Sequence, residues 1–281
     1  MKEVRKKVHE LLDTNEIDVL LAWQEDPETK EVKPAVYKKG DDLESLAFDD
    51  RCVHNLANYL TQLLDRYTKV GVFLKGCDGR ALTTLLAENR IKKNRVIVIS
   101  PVCRGVKING QDASKCADCA TVVSPIADIS SGDSEKKGEP IFRNLGAIEK
   151  MTSDERSKFF SEYFATCERC YACRQICPLC YCEVCIVDHH DPKWIEVSVK
   201  TSANTMWHLT RAYHLAGRCA DCGECERVCP QNIPLRLLNT ALEKAILKMF
   251  KVRPGTVPEQ IPPLVELSKD DPDEILEAQH E

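Results

Sequence analysis

Long hydrophobic runs are missing from this sequence. Its longest uninterrupted apolar stretches, Val19 to Trp23 and Val70 to Leu74, are five residues, against the roughly 18 needed to span a bilayer, so no integral membrane segment is expected. Basic tracts are missing too. Lys and Arg number 39 against 44 Asp and Glu, a formal charge of -5, and that balance speaks against nucleic acid or an anionic membrane surface as partner. The start, Met1-Lys2-Glu3-Val4-Arg5-Lys6-Lys7, runs into a charged amphipathic segment with neither an apolar core nor a small-residue cleavage site. No secretory signal is read there, and a cytoplasmic location is expected. Also lacking are a phosphate-cradling glycine loop and a hydroxyl or thiol nucleophile in a recognisable setting, so no catalytic residue is assigned.

What the sequence has in abundance is cysteine, 16 in 281 residues. Thiols stay reduced in a cytoplasm, so metal is their natural occupant. Eleven of the 16 lie between Cys167 and Cys229, and four more lie between Cys77 and Cys119. Two cysteine districts, in a chain long enough for two domains, predict two metal-bearing domains.

Hydrophobic spacing sketches the scaffold. Val4, Val8, Leu11 and Leu12 mark a first helix, and Ile17 to Trp23 and Val32 to Tyr37 read as a hairpin turning near Asp26-Pro27-Glu28. A second helix is expected over Arg51 to Tyr67. Strands Val70 to Leu74 and Arg95 to Ile99 flank a helix from Ala81 to Asn89, a crossover unit whose strands should be parallel neighbours. Ser130 to Glu139 reads as a linker, with a domain boundary near 140. Thr152 and Glu155 form a capping box for the helix leading to Cys167. Helices are further expected from Ala203 to Ala216 and from Pro234 onward. Four prolines between Pro254 and Pro263 predict a tail that is extended or docked on something else. The expected class is thus an α/β amino-terminal domain with a short parallel sheet (1–140), an α-helical domain (141–253) and a tail (254–281).

The strongest motifs are Cys167-x2-Cys170-x2-Cys173-x3-Cys177-Pro178 and Cys219-x2-Cys222-x2-Cys225-x3-Cys229-Pro230. Each matches the run that binds a cubane iron-sulfur cluster: three thiolates curl round three corners while the fourth, before proline, reaches to the partner cluster. One 4Fe-4S cluster is therefore assigned to Cys167, Cys170, Cys173 and Cys229, the other to Cys219, Cys222, Cys225 and Cys177. Structural zinc is the alternative occupant. The region from about 150 to 252 resembles the α-helical ferredoxin domain of fumarate reductase and heterodisulfide reductase iron-sulfur subunits. It departs from that pattern by inserting Cys180-Tyr181-Cys182-x2-Cys185.

In the first district, Lys75-Gly76-Cys77-Asp78-Gly79-Arg80 follows one predicted parallel strand and Pro101-Val102-Cys103-Arg104-Gly105 the next. Both cysteines fall at carboxyl ends of strands, where open α/β sheets form their crevice. With Lys115-Cys116-x2-Cys119 and Ala127 to Asp133, the segment from about 65 to 135 resembles the amino-terminal region of the β-subunit family of coenzyme F-420-reducing hydrogenases and dehydrogenases. That resemblance implies a further 4Fe-4S cluster on Cys77, Cys103, Cys116 and Cys119. It also implies an adjacent FAD, with Gly76, Asp78, Gly79, Arg80 and Arg104 lining its crevice, although linker and ferredoxin follow where that family carries its longer flavin-holding portion. The alternatives are buried small hydrophobes for Cys77 and Cys103 and a zinc half-site for Cys116 and Cys119.

Four cysteines remain. Cys180, Cys182 and Cys185 could hold a further cluster or zinc, with Cys52, His189 or His190 as fourth ligand, while Cys52 reads equally as core. His208 and His214 are expected on a helix packing near the clusters, and Trp194 and Trp207 in the core. The economical reading is an electron-transfer subunit of an anaerobic redox complex, partnered by catalytic and electron-carrier subunits of a formate dehydrogenase, a hydrogenase or a heterodisulfide-reductase-like module. A flavin-containing subunit reducing a deazaflavin or nicotinamide, and a zinc-stabilised scaffold, are the alternatives.

Overall fold

The computed structural model describes residues 1–132, 142–266, 269 and 271. Most of the expected linker, and the boundary near 140, lie outside those residues.

The chain begins with α1 (Lys2–Asp13), whose Val4, Val8, Leu11 and Leu12 are buried as the spacing requires. The hairpin follows as β1 (Val19–Glu25) and β2 (Val32–Tyr37), antiparallel, with β3 (Leu46–Ala47) also pairing β1. α2 (Ala57–Leu64) starts later than its apolar pattern suggests. Asp49 Oδ1 captures the Arg51 N–H at 2.9 Å and Asn55 Oδ1 the Ala57 N–H at 3.0 Å, so local turns compete with the helix ahead of it.

Next come β4 (Val70–Phe73), α3 (Gly76–Ala87), β5 (Val96–Pro101), the small ribbon β6 (Lys107–Ile108) and β7 (Gln111–Asp112), α4 (Ser114–Ala117) and β8 (Ile129–Ser131). The sheet runs β2-β1-β4-β5-β8, and β1, β4, β5 and β8 are mutually parallel. Thus the predicted crossover exists, but the hairpin joins the same sheet, making it mixed. Ser130 and Ser131, read as linker, form part of its edge strand instead.

The second half is helical: α5 (Ser153–Ala165), α6 (Ala172–Gln175), α7 (Thr201–His214), α8 (Glu224–Arg227) and α9 (Leu235–Phe250). The capping box of α5 is formed, with Thr152 N donating to Glu155 Oε2 at 2.7 Å and Glu155 N to Thr152 Oγ1 at 3.3 Å. The two halves share packing, since Leu179, Leu215 and Ala220 are buried within the core built around the sheet. Trp207 is core, whereas Trp194 is 63% exposed on a loop without regular structure, contrary to expectation.

The proline-containing tail docks on its own chain. Arg80 Nε donates to Pro254 O at 2.8 Å, and a Cβ added at Gly255 would meet Arg80 O at 2.0 Å. Only glycine allows that approach, at a φ of +68°.

Candidate metal centres

The structure brings Cys77, Cys103, Cys116 and Cys119 to the wall of one cavity, although they come from three separate segments. Cys77 stands in the first turn of α3, which begins directly after β4 rather than at Ala81 as the sequence suggests. Two glycines disguise this start. A Cβ at Gly76 would meet Thr121 O at 1.8 Å, and one at Gly79 would meet Ser124 Cβ at 2.5 Å, so both exist to let α3 lie on the 121–124 segment. That segment also positions the quartet: Cys103 N donates to Val122 O at 2.8 Å and the Cys119 thiol to Thr121 O at 3.3 Å. Val106 N donates to Cys116 Sγ at 3.3 Å, a contact of the type that tunes cluster sulfurs.

Of the residues expected to line a flavin crevice, Gly76, Arg80 and Arg104 border this cavity, while Asp78 and Gly79 do not. Asp78 is fully buried and accepts from Lys75 Nζ at 2.8 Å. Burial raises its pKa, with Lys75 opposing. Arg80 turns towards the helical half, with Nη2 2.7 Å from Glu243 Oε1 on α9 and Nη1 3.3 Å from Ala220 O. Arg253 Nε joins the same carboxylate at 3.1 Å. The far wall of the cavity is Ala220, Asp221 and Arg253.

Each of the two carboxy-terminal cysteine runs repeats one local design. Arg169 and Asp221, two residues after the first cysteine of each run, have φ of 57° and 52°, and Tyr171 and Gly223, two further on, have φ of 58° and 71°. The left-handed steps aim backbone N–H groups at sulfur, with Arg169 N donating to Cys167 Sγ and Asp221 N to Cys219 Sγ, both at 3.4 Å. The short helices α6 and α8 then carry Cys173 and Cys225. Cys229 Sγ accepts from Ile233 N at 3.4 Å.

Each proline-side cysteine lies near thiols of the other run. Cys229 is close enough to act electrostatically on Cys167 and Cys173, which Cys170 also reaches. Cys177 acts likewise on Cys222 and Cys225, and Cys177, Cys219, Cys222 and Cys225 line one cavity. Burial pushes the Cys167, Cys173, Cys219 and Cys225 thiols up and Cys222 to about 11, whereas the neighbouring Cys180 lowers Cys177, so at the raised positions an unpaired thiolate is disfavoured and a metal is the natural counterpart.

Two buried cations that the sequence reading passed over serve these sulfurs. Lys115 Nζ donates to Cys222 O at 2.5 Å, bridging the two halves. Burial opposes its charge, but Cys77, Cys222 and Asp78 outweigh that and raise its pKa. Arg211 on α7 donates from Nη2 to Cys173 O at 3.0 Å and faces Cys180, Cys177, Cys225 and Cys173. Its one local signal is a charge on the apolar stripe Trp207, Arg211, Leu215, all buried. Asn239 Nδ2, on α9, reaches Cys225 Sγ at 3.8 Å.

The leftover cysteines separate. Cys52 is buried in the sheet core, accepts from Asp49 N at 3.3 Å and is pushed up to about 12 by burial, which settles it as core. Cys180, Cys182 and Cys185 line a different cavity, whose wall includes neither Cys52, His189 nor His190. Among the described residues no three His, Cys, Asp or Glu side chains close tightly enough round a point to share one metal ion.

No protein-family model matches the chain. Among curated proteins it is 32% identical over 111 residues to the F420-dependent formate dehydrogenase subunit beta of Methanocaldococcus jannaschii, a match that takes in 39% of this chain. The chain spans 28% of that relative's length, so the similarity is to one part of a longer redox subunit.

Proposed function

We propose that the chain is an iron-sulfur electron-transfer subunit of a multisubunit redox complex. Cys77, Cys103, Cys116 and Cys119 hold one 4Fe-4S cluster; Cys177, Cys219, Cys222 and Cys225 hold a second; Cys167, Cys170, Cys173 and Cys229 hold a third. The observation that supports this reading is the position of Cys177 in one cavity with Cys219, Cys222 and Cys225 of the other run, an arrangement that dicluster ferredoxin ligation requires. Clusters bound at these sites would supply one-electron redox centres. The chain's own residues donate backbone N–H groups to sulfur, offset buried negative charge with Lys115 and Arg211, and seal the space between the quartets with Ala220 and Asp221.

Partial similarity to a formate dehydrogenase β subunit supports a dehydrogenase complex as the setting, with catalytic and electron-carrier subunits as partners. No helix among the described residues is long and apolar enough to cross a membrane. The glycine approaches of α3 are filled by the 121–124 segment, which favours a cluster over a flavin at this crevice. Anaerobic purification with iron, sulfide, zinc and flavin analysis, followed by potentiometric electron paramagnetic resonance, tests the reading. Iron and sulfide in near-equal amounts with reversible one-electron signals are expected; zinc in molar excess over iron, or redox silence, overturns it.

A further inference from the structure

Cys180, Cys182 and Cys185 have no role in the three centres above, and their surroundings are unlike those of a core cysteine. Tyr181, between the first two, is pinned away from them: its hydroxyl donates to Glu88 Oε2 at 2.5 Å, and its ring lies 5.2 and 5.3 Å from the guanidinium carbons of Arg90 and Arg218. Glu88 is itself held by Arg218 Nη2 at 2.8 Å. With Tyr181 clamped to the first half of the molecule, Cys180 and Cys182 both face the neighbouring cavity, and Cys185 joins them. Cys182 is exposed and Cys185 half-buried, so hydrophobic burial is not what these thiols provide.

The cavity wall carries three arginines, Arg174, Arg211 and Arg218, against two carboxylates, Glu183 and Asp188. Asp188 pairs with Arg174 at 2.8 Å and Glu88 with Arg218 at 2.8 Å, which leaves Arg211, beside Cys180 and Cys177, as the buried cation facing the thiols. A buried cluster on thiolates carries net negative charge and needs such compensation. Space is ample: the cavity has a volume of about 210 Å³, against about 40 and 20 Å³ at two of the cysteine quartets. The three thiols do not close round a single ion, whereas a polynuclear cluster gives each sulfur its own iron.

We propose that Cys180, Cys182 and Cys185 hold a fourth iron-sulfur cluster, a cubane with three cysteine ligands, in the cavity they line. This rests on the iron-sulfur reading of the remainder of the chain. Cys180 N donates to the carbonyl of Cys177, assigned to the neighbouring centre, at 3.2 Å, so that centre would border three others and form a branch point.

Native mass spectrometry and iron and sulfide analysis of the anaerobically purified full chain test it. About sixteen iron atoms per chain are expected, falling to about twelve in Cys182→Ala/Cys185→Ala while the spectra of the other three centres persist. Wild-type protein with about twelve iron atoms, a double variant with unchanged iron, loss of zinc instead of iron, or a disulfide within the trio each overturns the fourth site. The wild-type stoichiometry decides the matter even if the double variant does not fold. Iron absent altogether would instead overturn the underlying reading.

Discussion

The two cysteine districts are assembled by opposite means. In the carboxy-terminal half, three of the four thiols assigned to each proposed centre come from one short run whose left-handed residues, Arg169 and Tyr171 or Asp221 and Gly223, preset the curl. Only the fourth is borrowed. In the α/β half, three separate segments must meet: Cys77 at the start of α3, Cys103 just beyond β5, and the pair Cys116 and Cys119 from α4 and the turn after it. A locally encoded site can form before the domain is complete, whereas the other exists only once β4 and β5 are paired. The amino-terminal centre should therefore be the more sensitive to damage far from its ligands.

The sharpest break of this contrast is chemical. Cys77→Ala with Cys103→Ala should abolish one centre, about four iron atoms, and leave the ferredoxin-like pair intact by electron paramagnetic resonance. Unchanged iron would return both residues to the core. Cys173→Ser and Cys177→Ser should each damage a different centre although they lie on one run; loss of the same signal in both variants would remove the crossing. Next in size is Glu243→Ala, which leaves Arg80 and Arg253 buried without their carboxylate. A cost of about 3 to 5 kcal/mol is expected, read by anaerobic thermal denaturation, with the amino-terminal centre lost first.

The smallest effect concerns His208, buried against Phe164 with ring centroids 4.5 Å apart and neither ring nitrogen hydrogen-bonded. Burial, aided by Arg211 and Arg169, lowers its pKa from 6.5 to about 3. Below pH 6.5 the unfolded chain binds a proton that the folded chain refuses, so stability falls as pH drops through the window from 6.5 to about 3. The slope attributable to His208 is up to about 1.4 kcal/mol per pH unit, and His208→Gln should flatten a denaturation series between pH 7.5 and 5.5, roughly as the linkage predicts. An unaltered slope would assign the acid sensitivity elsewhere.

Legibility followed the same division. The spacing of the two runs could be read directly, as could β4, β5 and the helix between them, because each depends on neighbours in sequence. The hairpin was also read, but not its membership of the sheet, since the β1 to β4 pairing is a choice no local pattern records. Gly76 and Gly79 suggested a cofactor crevice because glycine at a strand end has two uses, approach of a ligand or approach of the chain, and here Thr121 and Ser124 make the approach. Arg80 and Glu243 meet across 163 residues of sequence. Nothing near either one announces the other.

The joint formed by Arg80 has a kinetic meaning. Its guanidinium binds Glu243, Ala220 O and Pro254 O at once, and Lys115 ties α4 to Cys222 O beside it. A carrier that swings between donor and acceptor needs a hinge, and its rate falls as the solvent thickens. This joint is a rivet. Exchange of electrons between the two halves should therefore proceed at the same rate in buffer and in concentrated glycerol, and flash-reduction kinetics followed across a viscosity series would expose any hidden swing.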